Sequence, residues 1–485
     1  MSEPLKEKLQ EPAQEHHPVQ SILLEPRAVG RKNYVMLVLY MIFVSGYGYN
    51  VLYVQPIARS MKSAYNVQDS TLSFLLTLGS ISSSIFFLPI IYLLVMKGVR
   101  VACMVGLGLL TFGTVVELFI TEDRFWLIFV GHFITHSGSP VLNIANAKFS
   151  STWFTPKVRP IAMTLIAMSS QIGLMMGFLI PGIFVSAPNA ETSANLRSEV
   201  IHFHIFLLCL YGGSFILCIF FLEDYPKDYK TYLVEEMEIR KHFKMFQQLW
   251  ALIQEPTYLY FVLTLGVGVA SVVINQLIIV QMMTPFQYTQ TNCQVGGVII
   301  VLSGVTGSVG YSKLLIQFPN QLRKLKFIYM ILLMVYTAYS YLPTFKSLLA
   351  LYSACFLLGF FGMIQVAIGL ESLVKYIILT GPQRLVIGTG FVQIILSISN
   401  GAFSYGIQGF LMEGTVQGVF KINLTIICTI FCTFILATLL QISFEHRITK
   451  IMKKADEPTL LPQVQPTVDQ QKQQIMRSLA VDVDG

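Results

Sequence analysis

The side chains that could do chemistry in this sequence are a small set of polar residues inside long apolar stretches. They are Glu117, His132, His136, Asn143, Asn146, Lys148, Gln171, Asn275, Gln276, Gln365, Glu371, Lys375, Gln393 and Asn400. A polar or ionisable group surrounded by hydrocarbon is costly, so it usually faces a protein interior, a partner or a water-filled path. The pattern therefore predicts interior polar positions that either bind a polar solute or join neighbouring helices.

Asn143 and Asn146 are the first candidates for a polar strip. They are three residues apart, so they share one face of a helix. Gly138 and Pro140 precede them and can leave backbone carbonyl groups free of helical hydrogen bonds. Two interpretations stay open: a hydrogen-bonding strip that faces a pore, and hydrogen bonds that hold helices together.

Two further polar pairs lie in the second half of the chain. Asn275 and Gln276 are adjacent, so only one of them can point inward. Gln393 and Asn400 are seven residues apart and share a face. Cavity lining and helix packing both stay open for these residues.

Lys148 and Glu371 carry opposite charges in equivalent predicted helices of the two halves, each near the cytoplasmic end. Low-dielectric surroundings make an unpaired charge expensive and a pair worth keeping. We predict that they form an inner gate, which closes when the cavity opens outward. The alternative is that Lys148 extends to the lipid headgroups while Glu371 caps a neighbouring helix.

His132 and His136 are four residues apart and could both touch a metal or a haem iron. The metalloprotease pattern requires Glu directly after the first His, and Phe133 stands there. We therefore predict a polar pair near the outer surface. For Glu117, proton coupling is the alternative to the solvated interfacial acid that its position predicts.

Cysteines give no disulfide framework, because six of the seven lie inside apolar runs. The sequence predicts that they are packing residues. We expect no metal site and no cofactor.

About twelve apolar runs are each long enough to cross a bilayer, which requires about 20 residues in a helix. The composition agrees, because 12% of residues are charged, against roughly 25% in a soluble globular domain. The runs lie near Tyr34–Ile57, Thr71–Leu94, Val101–Ile120, Trp126–Ala147, Ile161–Ser186, Phe203–Leu222, Tyr258–Met282, Val295–Leu315, Phe327–Tyr341, Leu348–Tyr376, Val386–Leu411 and Phe420–Phe444. The sequence predicts an all-α, multi-pass membrane protein.

Lysine and arginine residues orient the bundle, because short, positively charged loops stay in the cytoplasm. They concentrate on one side, for example at Lys97, Arg100, Lys157, Arg159 and Arg323, and are sparse in the alternate loops. Both termini are therefore predicted to be cytoplasmic. This bias, with attraction to an anionic inner leaflet, accounts for the formal charge of +7, so no nucleic-acid partner is expected.

A break in hydropathy divides the chain into two six-helix halves. Similar turns follow the fourth and tenth runs, where Pro156 and Arg159 match Pro382 and Arg384. Matching halves are typical of transporters that rock one bundle against the other around a midplane site. The predicted domains are a disordered cytoplasmic tail at 1–32, a six-helix bundle at 33–222, a cytoplasmic linker at 223–257, a second six-helix bundle at 258–445 and a disordered cytoplasmic tail at 446–485.

Catalytic motifs of any specific kind are absent from the sequence. It contains neither a Gly-rich phosphate loop with Lys and Ser or Thr nor a nucleophile elbow. We expect no enzymatic activity and no ATP-driven pumping.

A string of residues from Lys97 to Pro181 resembles a known family. It comprises Lys97, Gly98, Val99, Arg100, Gly131, Trp153, Phe154, Pro156, Lys157, Gln171, Gly173, Gly177, Phe178 and Pro181, with Asn275, Gln276, Gly359, Phe360, Phe361 and Gly369–Glu371 in the second half. The family is that of the feline leukaemia virus subgroup C receptor-related transporters, solute carrier family 49, within the major facilitator superfamily. The resemblance implies the twelve-helix major facilitator fold with two pseudo-symmetric halves. It also implies a carrier of choline-like amines, with haem as a further substrate of some members.

The chain departs from the family where aromatic rings would hold an amine by cation–π attraction. Val51 replaces a Trp in the first run, and Gly268 replaces an aromatic ring in the seventh. Tyr47, Tyr49 and Tyr53 are the expected substitutes. The substrate-cavity candidates are Tyr47, Tyr49, Asn50, Tyr53, Asn143, Asn146, Gln171, Asn275, Gln276, Gln365 and Gln393.

Transport of a small organic solute by alternating access is the function that these observations favour. A choline-like amine is the first substrate and haem the second. The alternatives are a non-transporting membrane receptor or scaffold, and a major facilitator carrier of another metabolite such as an amino acid or a nucleobase. We expect a monomer whose partners are its solute and the lipid bilayer, in the plasma membrane or an internal membrane.

Overall fold

The computed structural model describes residues 30–155, 158–186, 195–226, 244–311, 321–380, 384–412 and 414–456. Within these ranges the regular structure is helical, and successive helices are joined by short turns. A helical architecture is what the sequence predicts, because every backbone N–H and C=O group in a hydrocarbon layer has to be satisfied within its own segment.

The first half of the chain contributes helices α1 to α9. Their bounds are α1 Arg31–Leu52, α2 Ala58–Tyr65, α3 Asp69–Lys97, α4 Val99–Glu117, α5 Trp126–Gly138, α6 Pro140–Trp153, α7 Arg159–Leu179, α8 Pro181–Phe184 and α9 Leu196–Phe221. A short 3-10 turn at Gln55–Ile57 connects α1 to α2.

The second half contributes helices α10 to α16. Their bounds are α10 Met245–Ile253, α11 Pro256–Met283, α12 Gln290–Gly310, α13 Gln321–Tyr341, α14 Leu348–Thr380, α15 Leu385–Met412 and α16 Val416–Asp456. Short 3-10 turns follow α11 at Thr284–Phe286 and α13 at Leu342–Phe345.

Eleven helical segments in the described part of the chain are long and apolar enough to cross a membrane. The twelfth segment corresponds to the fourth predicted run. Ser139 divides this segment into two shorter helices, α5 and α6. Pro140 begins α6, a position where its missing N–H group costs no helical hydrogen bond. The prediction of about twelve spans is confirmed, and one of them is broken.

Each half has a hydrophobic core of its own. Side chains cross over in both directions: for example, Phe178 packs into the core of the second half, and Ile394 packs into that of the first. Large apolar side chains on the outside, such as Ile183 and Phe220, are exposed, as a lipid-facing surface requires. Three cysteines that were expected to pack inside are exposed on helix surfaces, where a thiol behaves as a small hydrophobe: Cys209, Cys428 and Cys432.

The two halves meet along two helix pairs, α3 with α15 and α7 with α12. On the first pair, the side chain of Ser80 lies against Gly401. On the second pair, the ring of Phe178 fills the space beside Gly297. Glycine at these points lets the facing helix approach closely.

The terminal face of the bundle is the end where α1 begins and α16 ends, and the far face is the opposite end. On the terminal face, Lys32 pairs with Glu223 in the first half, and Arg447 pairs with Glu255 in the second. Gly98 joins α3 to α4 there with a φ of 92°, a left-handed conformation that favours glycine.

Several helices extend across the predicted domain boundaries. Helix α1 begins at Arg31, within the predicted first tail, and α16 continues to Asp456, past residue 446, where the second tail is predicted to begin. Residues 446–456 thus prolong the last spanning helix into the region of the predicted second tail. Residues 227–243 of the predicted linker lie outside the described residues. The remaining boundaries stay predictions.

We expect Gly173→Ala to lower the thermal stability of the purified protein. A methyl group at Gly173 would overlap the carbonyl oxygen of Ser45, so α7 would have to move away from α1. Overpacking of this kind costs about 1–3 kcal/mol. Gly213→Ala is the matched control: nothing lies within 4 Å of the added methyl group. It should be neutral or stabilising by up to about 1 kcal/mol, because alanine favours a helix more than glycine does. Thermal unfolding in detergent measures both, and equal midpoints for Gly173→Ala and wild type would contradict the close contact.

Candidate functional site

Asn275 lies inside the second half and joins two of its helices. Its side chain is fully buried, and its Nδ2 atom donates to the carbonyl oxygen of Ser271 at 3.0 Å within α11. Its Oδ1 atom accepts a hydrogen bond from the hydroxyl group of Tyr336 on α13. Both polar atoms thus have partners within this half. Gln276, the next residue, is buried as well and is directed about 100° around the helix.

Gln365 on α14 connects to α11 beside Gly268. Its Nε2 atom donates to the carbonyl oxygen of Gly268 at 3.1 Å, while its Oε1 atom is buried without a hydrogen-bond partner. The space next to Gly268 is filled by Tyr329 of α13, whose hydroxyl group donates to the carbonyl oxygen of Thr264 at 2.8 Å. An aromatic ring therefore does occupy the region where the family resemblance predicts one, but it comes from another helix.

Gln171 and Gln393 lie near the boundary between the halves. Gln171 shares a side of α7 with Leu174 and Phe178, which pack against the core of the second half. Gln393 on α15 is next to Ile394, which packs into the core of the first half. Both glutamines are half-buried. Their place along a solute path stays a prediction.

Tyr47 and Asn146 are half-buried residues of the first half. Tyr47 packs against the core of that half. The Oδ1 atom of Asn146 accepts a hydrogen bond from the hydroxyl group of Tyr40 at 2.8 Å, which links α6 to α1. The side chain of Asn143 lies outside the described residues, so its role stays a prediction.

Lys148 and Glu371 each have a partner within their own half. The Nζ atom of Lys148 donates to the carbonyl oxygen of Leu94 on α3 at 3.0 Å. The carboxylate of Glu371 pairs with Lys375, one turn later on α14, at 2.9 Å. The gate between Lys148 and Glu371 stays a prediction about a different conformation.

Four polar side chains from different helices meet inside the first half. The hydroxyl group of Tyr53, the residue after α1, donates to the carboxylate of Glu117 on α4 at 3.0 Å. The Nε2 atom of His204 on α9 lies 3.6 Å from one carboxylate oxygen, and the Nδ1 atom of His132 on α5 lies 3.9 Å from the other. Each of these side chains is at most 3% exposed. These four residues are called the Glu117 cluster below.

Tyr49 and Asn50 lie beside the Glu117 cluster. The ring of Tyr49 stacks on that of Tyr53 with centroids 6.5 Å apart, and the Oδ1 atom of Asn50 lies 3.5 Å from the hydroxyl group of Tyr211. The hydroxyl group of Tyr49 and the Nδ2 atom of Asn50 are buried without hydrogen-bond partners. Tyr49, Asn50 and Tyr53, predicted as cavity residues, are therefore interior residues of the first half in this conformation.

Hydrogen bonds across the halves close the far face. Arg59 of α2 donates to the hydroxyl group of Thr284 and, at 3.3 Å, to the carbonyl oxygen of Tyr288. In the other direction, Gln294 of α12 donates to the carbonyl oxygen of Pro56 at 3.3 Å. These five residues are called the far-face latch. These hydrogen bonds join the halves at the far face, in addition to the packing of α3 on α15 and of α7 on α12.

The expected positions of Glu117, His132 and His136 need correction. The sequence places the acid in a solvated interface and the histidines near the outer surface, but Glu117 is 1% exposed and the histidines are 3% and 8% exposed. The reason is that α4 and α5 approach so closely that a methyl group on Gly131 would overlap the Glu117 side chain. His204, the second imidazole of the cluster, was not singled out from the sequence, because its partners Glu117 and His132 lie on other helices and far away along the chain.

Comparison with known proteins agrees with this architecture. The family model described as Major Facilitator Superfamily matches residues 38–404. Choline/ethanolamine transporter flvcr2a of Danio rerio is 21% identical over 417 residues, covering 84% of this chain and 86% of that protein. Solute carrier family 49 member 4 homolog of Xenopus tropicalis is 29% identical over 180 residues, covering 36% of this chain and 38% of that protein. The resemblance to solute carrier family 49 is confirmed by such relatives.

A solved structure shows the same fold. It is the crystal structure of a bacterial homologue of the human lysosomal transporter Spinster, in an inward-facing and unoccupied conformation. It superimposes with a TM-score of 0.61 at 13% identity, covering 86% of this chain and 98% of that one. At this identity the likeness concerns the fold alone.

We expect Arg59→Ala to open the far face more often, because it removes the hydrogen bonds to Thr284 and Tyr288. Native Cys293, which is buried on α12 close to Arg59, is the reporter. In protein reconstituted in nanodiscs, a hydrophilic maleimide should label Cys293 several-fold faster in Arg59→Ala than in wild type. Arg197→Ala is the matched control, since Arg197 bonds to Glu122 and the Ala64 carbonyl within the first half. Cys293→Ser identifies the signal, and unchanged labelling in Arg59→Ala would argue against the latch.

Proposed function

Because the chain belongs to the Major Facilitator Superfamily, we propose that it carries a small organic cation, with a choline-like amine as first substrate, by alternating access. One observation carries the proposal: two halves with separate cores are joined at the far face by the latch, while Gln171 and Gln393 lie half-buried along their boundary. Two halves with largely separate cores can rock against one another around a site at that boundary.

The substrate class is supported by the chemistry near the boundary and by a relative. A quaternary amine is held by aromatic faces and neutral oxygen atoms and does not need a carboxylate. Tyr47 supplies an aromatic side chain, and the two glutamines supply amide oxygens. The acids Glu117 and Glu371 already have partners within their halves. The name of the Danio rerio relative includes choline and ethanolamine, which agrees with this class.

Haem is the weaker second substrate. The family resemblance implies it, and the possible iron ligands in the sequence are His132 and His136, whose rings lie 4.3 Å apart. Both are enclosed within the first half beside Glu117 and Tyr53, with at most 8% exposure. An axial ligand has to reach the iron from an accessible surface, so the geometry favours the amine.

The orientation and assembly complete the proposal. Both termini are proposed to be cytoplasmic, because Lys32, Arg100, Arg323 and Arg447 lie toward the terminal face, as the positive-inside rule requires. The protein is proposed to act as a monomer, without a nucleic-acid partner or enzymatic activity. Protease accessibility of tags at both ends tests the orientation, and extracellular tags would reverse it.

We expect purified protein in liposomes to take up labelled choline in preference to amino acids and nucleobases. Gln171→Leu and Gln393→Leu should each raise KM for the transported amine about three- to tenfold, because each removes one hydrogen bond worth roughly 0.5–1.5 kcal/mol. The matched control is Gln254→Leu, at an exposed position next to α10. Uptake of every tested solute at the background rate would favour a receptor or scaffold, and preference for another metabolite would replace the amine.

The Lys148–Glu371 gate is proposed to form when the cavity opens to the far face. Breaking either partner should then favour the conformation that is open to the terminal face, and Lys148→Glu combined with Glu371→Lys should restore part of the uptake. Lys375→Gln is the control, because it removes the ion pair within α14 and leaves both members of the proposed gate in place. Thiol accessibility from the terminal face measures the shift. Two single variants with normal uptake and normal accessibility would leave Lys148 as a residue that extends to the headgroups.

A further inference from the structure

We propose that the Glu117 cluster binds one proton, and that release of this proton is linked to opening of the far face. The proposed carrier would then be coupled to protons as well as to its solute. This inference rests on the proposed function. It concerns Tyr53, Glu117, His132 and His204, which lie inside the first half, away from the boundary residues that are proposed to contact the solute.

The Glu117 cluster contains a carboxyl group that is buried inside the first half. Glu117 is 1% exposed, and among the described residues its ion-pair partners are the imidazoles of His132 and His204. A carboxylate in such surroundings is strongly disfavoured unless its charge is neutralised. One proton achieves this, either on a carboxylate oxygen or on an imidazole nitrogen. Binding forms one O–H or N–H bond to a proton taken from water, and release returns the proton to water.

The titratable and charged groups around Glu117 determine whether a positive charge other than the proton is near it. The helices that pack on α4 contribute neutral or titratable side chains to its surroundings, and no described lysine or arginine pairs with it. The titratable groups near Glu117 are His132 and His136 from α5, His204 and Tyr211 from α9, and Tyr49 and Tyr53 from α1 and its end. Helices α3 and α6 also pack on α4, and their described titratable side chains lie toward the terminal face: Tyr92, Lys97 and Lys148. Among the described residues, no lysine or arginine therefore neutralises the Glu117 carboxylate in place of the proton.

The chain segment after α1 connects the cluster to the far-face latch. Tyr53 donates to Glu117 at 3.0 Å. Three residues later, the carbonyl oxygen of Pro56 accepts the hydrogen bond from Gln294 of the second half. Arg59, three residues further, makes the other latch contacts. A change of charge on Glu117 therefore acts on the end of α1, the segment that closes the far face.

A second connection runs through the histidines. The rings of His132 and His136 lie 4.3 Å apart. A methyl group on Gly79 of α3 would lie 3.1 Å from the His136 ring, and the adjacent Ser80 contacts Gly401 of α15. The cluster is thus linked to the far-face latch through Tyr53 and to the contact of α3 with α15 through His136. Buried nitrogen atoms of His136 and His204 and one oxygen of Glu117 have no hydrogen-bond partner, so positions for the proton are available.

The first experiment tests proton binding without any solute. Protein in nanodiscs is titrated from acid to alkaline pH while the infrared bands of carboxyl and imidazolium groups are recorded. We expect a band that titrates in wild type and is lost in Glu117→Gln, whereas Glu122→Gln, which alters an exposed acid of the far face, keeps it. A wild-type spectrum identical to that of Glu117→Gln at every pH would overturn the proposal and leave the cluster as a static contact between helices.

The second experiment tests coupling. In liposomes that transport choline, wild-type uptake should change about tenfold with a change of external pH by roughly one to two units. In Glu117→Gln this dependence should be lost, and Glu122→Gln should retain it. If size-exclusion chromatography shows that Glu117→Gln is unfolded, His204→Gln is measured in its place. The midpoint of the pH dependence of its choline uptake should fall by about one unit, because the proton loses one imidazole partner.

The outcomes separate the two proposals. Uptake of choline that does not respond to pH or to a proton gradient in wild type overturns the coupling and leaves the proposed function intact. Absence of uptake for every tested solute overturns the proposed function, and in that case the infrared titration still decides whether the Glu117 cluster binds a proton.

Discussion

Close approach of helix backbones is the constraint on which the rest of this structure depends. In a bilayer the hydrophobic effect does not drive helices together, so they associate through van der Waals contact and need small residues where they cross. Gly48 and Gly173 let α1 meet α7, and Gly307 and Gly359 let α12 meet α14, so that any side chain would overlap a carbonyl oxygen of the facing helix. Each half is thereby held together by close helix crossings.

Closely packed helices can enclose polar groups whose contact with lipid would cost free energy. Glycines at the crossing of α4 with α5 bring Glu117 within reach of imidazoles from two helices, and the contact of α11 with α13 encloses Asn275 with the hydroxyl group of Tyr336. Such groups are stabilised only while their partners stay in place. Polar residues inside the halves therefore act as internal contacts, and the proposed solute site is left to polar residues between the halves.

The contacts between the halves are of two kinds. Helix pairs α3–α15 and α7–α12 pack through close approaches at Gly401 and Gly297, while hydrogen bonds of Arg59 and Gln294 join the halves at the far face. Exchange of hydrogen bonds with water makes the far-face contacts worth little net free energy. Each half keeps most of its core on its own side of these contacts, an arrangement that is compatible with alternating access.

The sequence by itself determined the class, the spans, the division into halves and the resemblance to a carrier family, because hydropathy, charge bias and short motifs are local properties of the chain. It also identified most of the buried and half-buried polar residues that are described above. What only the tertiary structure decided is where those residues face. Asn275, Gln365 and Tyr53 are directed into their own halves, Gln171 and Gln393 lie at the boundary, and Glu117 is buried with His204, which is 87 residues distant in the chain. The physical reason is that the rotation of a helix about its axis is set by packing against neighbours, and helical periodicity alone leaves it undetermined.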